Sequence, residues 1–227
     1  MTETDPSAPE LLRAGLLKGA SLMVARAVGV ARGEHPPCFA DAIAHECERL
    51  GASVARCDLT RAQDTEQATL DALARAEAVD LLAVDADSLF ARAAEGASPH
   101  AGRAALQECM QCTWELTRAL ANAAFIERQR PGRILFVAPR DDGEQGELAQ
   151  HARAARAALE NLARTLSIEF SRYALTTVAI APARRTSAQE VAALVAYLAS
   201  PAGAYFSGCV MDLTGPAPAS RASERAR

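Results

Sequence analysis

Two hydrophobic patterns alternate along the chain. Short runs that are apolar almost throughout occupy residues 21–27 (SLMVARA), 53–57, 79–84 (VDLLAV), 133–138 (RILFVA), 176–181 (TTVAIA) and 209–213. Each has the length of a strand. Between them apolar residues return at helical spacing. In 39–50, Phe39, Ile43, Cys47 and Leu50 share one face, and Gly51 follows where a helix-ending glycine belongs. Further helices are predicted over 65–76, 102–127, 148–173 and 187–198. The segment 102–127 carries a stripe of Leu106, Met110, Trp114, Thr117 and Leu120. The last helix opens on Ser187 with Glu190 three residues on, the spacing of a capping box. Uniformly apolar strands alternating with helices predict an α/β domain. Its sheet is doubly wound, mostly parallel and about six-stranded, with helices on both faces. Ligand chemistry in such a sheet belongs beyond the carboxyl ends of the strands, after Ala27, Val84, Ala138 and Ala181. One domain over 19–215 is expected, with an N-terminal arm at 1–18 and a flexible Pro/Ala/Ser/Arg-rich tail at 216–227.

Composition then narrows the chemistry. The chain has 227 residues, 24 Lys plus Arg, 28 Asp plus Glu and a net charge of −4. An acidic balance speaks against a dedicated nucleic-acid surface. Of the 24 basic residues 23 are arginine, and the single lysine is Lys18. A Schiff-base lysine, a P-loop lysine and a Tyr-x-x-x-Lys pair are thereby excluded beyond the N-terminal arm. No apolar run reaches the roughly 18–20 residues that span a bilayer, and residues 1–7 lack the pattern of a signal peptide. A cytoplasmic protein is expected. Cys38, Cys47, Cys57, Cys109, Cys112 and Cys209 then read as reduced, mostly buried thiols. Cys109 and Cys112 form a CxxC, but mid-helix and with no second ligand pair. His35 near Cys38 and Cys47 is equally incomplete, so no metal is expected.

Several stretches carry a family resemblance. Residues 156–173 (RAALENLARTLSIEFSRY) resemble the long interface helix of the short-chain dehydrogenases/reductases. GRILFV at 132–137 resembles the strand before that family's catalytic serine. Residues 179–182 and 190–213 resemble its fifth strand end and its C-terminal helix and strand. The resemblance implies a Rossmann-like fold over roughly 19–215. It also assigns the family's functional positions, and each is altered. The catalytic serine falls on Pro139, the tyrosine on Ala152, the lysine on Arg156 and the supporting asparagine on Cys109. The cofactor glycines fall on Arg26, Cys38 and Ala40, with an insert at 28–37 that contains Gly29, Gly33, Pro36 and Pro37. That insert reads as a surface loop. Asp85 and Asp87 stand at a strand end that faces the pyrophosphate in the family. Asp58, in CDLT, resembles the family's adenine contact. One β-α unit is missing between Gly51 and Val79, and only seven residues separate Pro182 from Glu190, where the family has its substrate lid. A closed pocket is not expected without that lid.

The resemblance therefore implies a degenerate member of the family with no cofactor of its own and no catalysis by itself. Expected partners are a catalytically active paralogue, in a heterodimer or α2β2 heterotetramer, with neither nucleic acid nor membrane. Expected interface residues are Leu106, Met110, Trp114, Leu159, Leu162, Leu166, Phe170, Tyr205 and Phe206. A hydroxyacyl- or oxoacyl-CoA dehydrogenase complex is the expected setting. Two alternatives stand beside it. One is a homo-oligomeric binding or scaffold protein with a lost active site. The other is a divergent oxidoreductase that uses His151 and Arg156, imidazole being able to exchange a proton near neutral pH.

Overall fold

A computed structural model describes residues 12–29, 38–95, 101–141, 143 and 145–213. Expectations for the arm before residue 12, for 30–37 and for the tail lie outside these residues, and with them His35, Gly33, Pro36 and Pro37. Six strands form one parallel sheet: β1 (Ser21–Ala27), β2 (Ser53–Leu59), β3 (Leu81–Asp85), β4 (Gly132–Val137), β5 (Leu175–Ala181) and β6 (Cys209–Asp212). Their order is β2-β1-β3-β4-β5-β6. The chain leaves β1 in one direction for β2 and then returns to its other side for β3. The topological switch point therefore lies between the carboxyl ends of β1 and β3.

Six α-helices cover the sheet: α1 (Phe39–Arg49), α2 (Thr65–Arg75), α3 (Ala86–Ala94), α4 (Ala101–Leu120), α5 (Glu147–Glu169) and α6 (Ala188–Ala199). Alternate strand residues serve opposite faces. Leu22, Val24, Leu81, Ala83, Leu135, Val137, Val178 and Ile180 pack with α1 and α6. Met23, Ala25, Leu82, Val84, Ile134, Phe136 and Ala179 pack with the other four helices. Because both faces are buried, these strands read as continuous apolar runs. The described part of the arm is not separate from the domain: Leu17 is buried in the α1/α6 core, and its amide donates to the Leu50 carbonyl at 3.0 Å.

The structure differs from the sequence expectation in two places. A helix, α3, follows β3 directly. Its first turn is closed by the Asp85 carboxyl, which accepts the Ser88 amide. The helix expected over 102–127 is α4 to Leu120 and then a π-turn over Ala121–Ile126. That turn presses Phe125 onto Gly132, where an added Cβ would lie 2.6 Å from the ring. The capping box on α6 forms as expected: the Ser187 hydroxyl accepts the Glu190 amide at 3.1 Å, and Glu190 accepts the Ser187 amide at 2.7 Å.

Candidate functional site

The carboxyl ends of β1 and β3 come together at the switch point, and Asp85 ends β3 there, fully buried. One carboxyl oxygen accepts the Ala40 amide in the first turn of α1 at 2.9 Å and the Cys38 thiol at 3.0 Å. The other accepts the Ser88 amide in the first turn of α3 at 3.0 Å. The Ser88 hydroxyl meanwhile binds both ways, donating to the Asp85 carbonyl and accepting the Ala27 amide. Burial drives the Asp85 carboxyl above the ordinary carboxylate range, against the pull of these donors and of Arg140. Burial and the neighbouring carboxyl also hold the Cys38 thiol far above its ordinary value, so it stays a protonated donor.

Charged side chains close the same crevice from above. Arg140 accounts for the carboxylate of Asp87: its amide donates at 2.9 Å and its guanidinium at 2.5 Å. That guanidinium also lies 3.7 Å above the centre of the Phe39 ring. Arg26 joins the ends of three elements, with bonds to Asp41 of α1 at 2.5 Å and Asp58 of β2 at 2.8 Å. Asp58 is thus engaged by an arginine of this chain.

These contacts test whether the dinucleotide of the resembled family fits. Its pyrophosphate needs free helix-end amides and room for close backbone approach. Here the Ala40 amide is already bonded to Asp85, and Cys38 and Ala40 carry side chains where that family has glycine. The residues present do not fit a pyrophosphate at this place.

The four positions that the resemblance assigns to the family's serine, tyrosine, lysine and asparagine lie beyond β4 and on α4 and α5. Pro139 follows β4. Cys109 is buried, with its thiol 3.4 Å from the Ala86 carbonyl, and Cys112 is buried one turn on. Burial keeps both thiols above their ordinary range. Ala152 packs half-buried against the core. Arg156 does not face an open site. Its guanidinium donates to the carbonyls of Ala181 at 3.0 Å and Pro182 at 2.5 Å, where β5 ends, and to Asp212 of β6 at 3.1 Å. It is a clasp between α5 and the two last strands. His151 is half-buried on the first turns of α5, beside Gly102 of α4. Its Nδ1 lies 2.8 Å from the Glu147 carbonyl. A carbonyl only accepts, so Nδ1 carries the hydrogen of this contact.

After β5, Ala183–Thr186 is a single turn, closed by the Thr186 amide on the Ala183 carbonyl at 3.1 Å, and α6 begins at once. No lid rises from this connection. No group of three or more His, Cys, Asp or Glu among the described residues could hold a metal. No helix among them is long and apolar enough to cross a membrane.

The expected interface divides in two. Leu159 and Leu166 are buried in the chain's own core, so they drop out of any docking face. Leu106, Met110, Leu162 and Phe170 are partly buried against that core. Phe206 packs against the other core and on the Tyr197 ring. Trp114 and Tyr205 are exposed, as are Leu148 and Ile168, which the sequence pattern did not single out.

A family model described as short chain dehydrogenase matches residues 24–203. No curated protein matches the chain. Among solved structures, the citronellol catabolism dehydrogenase of Pseudomonas aeruginosa is similar, with 20% identity and a TM-score of 0.68; 89% of this chain and 96% of that chain are covered. A short-chain dehydrogenase/reductase variant of Serratia marcescens follows at 19% identity and a TM-score of 0.68, covering 87% and 97%. So does the 3-ketoacyl-(acyl-carrier-protein) reductase of Brucella melitensis, solved with NADH, at 18% identity and a TM-score of 0.66, again covering 87% and 97%. These findings correct one expectation. A family of dehydrogenases, with neighbours named as dehydrogenases and reductases, points to an oxidoreductase and overturns the reading of the chain as no enzyme by itself. In the span of its match and in the order of its parallel sheet, the chain belongs to the short-chain dehydrogenase family.

Proposed function

We propose that the chain is a divergent oxidoreductase of this family in which proton exchange with a carbonyl or alcohol substrate passes to His151, the hydride being given or taken by a nicotinamide or flavin held away from the amino end of α1. The observation that carries the reading is the fixed imidazole at the start of α5. The four aligned positions hold Pro139, Ala152, Arg156 and Cys109. At this end of α5, His151 is a side chain of the type that serves general acid–base chemistry, and one of its ring nitrogens is held by the Glu147 carbonyl. Arg156 serves as a positioning residue, since it holds the end of β5 against α5. No dinucleotide is placed at the switch point, because the residues there do not fit its pyrophosphate.

The proposal extends to an assembly with a second short-chain dehydrogenase, as a heterodimer or α2β2 heterotetramer. Exposed Trp114 on α4 and Leu148 and Ile168 on α5 support it. The substrate class proposed is an oxoacyl or hydroxyacyl thioester. The test is turnover by the purified chain, alone and with a co-expressed family member, on such thioesters with NADH, NADPH or reduced flavin as donor. Expected is turnover that falls at least about a hundredfold in His151→Ala, the span of a general acid or base. Turnover unchanged in that variant, or absent with every donor in both settings, overturns the proposal.

A further inference from the structure

In a doubly wound sheet the crevice at the switch point takes the ligand, yet here it is filled by the protein itself. A single side chain, Asp85, serves the amino ends of two helices. It binds the Ala40 amide of α1 and the Ser88 amide of α3, and the Cys38 thiol joins it on the α1 side. Helix amino ends of this kind are ready-made seats for phosphate oxygens, through free amides and the helix dipole. We infer that the Asp85 carboxyl is the resident occupant of that seat, and that this chain takes no dinucleotide or nucleoside diphosphate through the amino end of α1.

Three physical reasons converge. The Ala40 amide has one hydrogen, and it is spent on Asp85. Turning the carboxyl aside would strip the Ser88 amide of its partner inside a fully buried region, and an unpaired buried donor is costly. Room is lacking as well. The Cys38 and Ala40 side chains occupy the approach, Phe39 is fully buried beneath the Arg140 guanidinium, and Arg140 is tied to Asp87. The inference concerns where a dinucleotide is not held. It stands apart from the proposed proton transfer by His151, which invokes no such contact.

Calorimetric titration of the full chain with inorganic pyrophosphate and with NADH tests it. Asp85→Ser keeps an oxygen for the Ser88 amide but is too short for Ala40, while Asp85→Glu keeps the carboxyl. The wild type and Asp85→Glu are expected to show no saturable pyrophosphate binding up to millimolar concentrations. Asp85→Ser is expected to gain at least about tenfold in affinity, a difference of roughly 1.4 kcal/mol. Should Asp85→Ser not fold, Asp85→Thr, equally short and with the same oxygen for the Ser88 amide, is expected to gain in the same direction. Saturable binding of pyrophosphate to the wild type, displaced by NADH, overturns the inference. So does a folded variant with no gain. Thioester turnover measured on the same samples separates the two ideas. Turnover that pyrophosphate does not inhibit leaves both standing, and its absence without pyrophosphate binding removes only the proposed function.

Discussion

Arg156, which the family resemblance aligns with a lysine, has about a tenth of its side chain exposed, and its guanidinium satisfies two backbone carbonyls and a carboxylate. A planar fork with five donors suits this task, and a lysine head does not. Arg156→Ala would leave the Ala181 and Pro182 carbonyls without that donor and Asp212 without its partner. A loss of about 2–4 kcal/mol is expected, read as a fall in Tm with the far-UV spectrum unchanged at low temperature. Arg156→Lys should fall between the two. A variant as stable as the wild type would show that water replaces the guanidinium without cost. The position was legible in the sequence, but the role was not. The spacing of 156 within a helix says nothing about carbonyls some 25 residues away, which the packing of α5 on β5 brings near, or about Asp212, which the pairing of β6 with β5 adds. The same holds at Asp85, where the sequence shows a carboxyl at a strand end and a repulsive charge. Its bond to Ala40 depends on the β1–β3 neighbourship.

Among the elements, the passage from α4 to β4 is closely packed. The π-turn over Ala121–Ile126 widens the helix by one residue per turn and sets the Phe125 ring over Gly132, the first residue of β4. Gly132→Ala would place a Cβ 2.6 Å from that ring. Overpacking of this kind costs about 1–3 kcal/mol, and the penalty should shrink in the double variant with Phe125→Leu. Additive losses in a double-mutant cycle of chemical denaturation would show that ring and glycine do not conflict. The sequence reading extended one helix through this stretch because the apolar stripe continues, and a single π-turn scarcely shifts such a stripe. It also missed α3, although Asp85 and Ser88 stand at the spacing of an N-cap and its third residue. The strand reading ran to the last apolar residue, Val84, and the cap that starts the next helix lies one position beyond. Where burial on both faces dictates composition, as in β1, β4 and β5, the elements could be read almost residue by residue.

At the scale of the whole molecule, the described chain buries two cores, one on each side of the sheet, and leaves large apolar side chains outside both. Trp114 on α4 is 41% exposed and Ile168 on α5 is 74% exposed. Paired Trp114→Glu and Ile168→Glu should therefore leave the fold intact and abolish association with a second short-chain dehydrogenase. Native mass spectrometry of co-expressed chains measures this. An unchanged complex would move the contact elsewhere, to the end of the molecule marked by Tyr205. The family resemblance assigns Trp114 to an interface, and Leu159 and Leu166 with it. Those two lie in the core because α5 is wrapped on two sides, by α4 and by the sheet.

The carboxyl shared by α1 and α3 also orders events in time. Cys38, at the start of α1, gives the helix no side-chain cap. The group that closes its first turn comes from 45 residues further along the chain and arrives only when β3 has docked beside β1. Until then α1 is an 11-residue segment with open amides, too short to persist alone in water. Its formation is thus tied to the long-range step that builds the centre of the sheet, and α1 and that step must form and melt together.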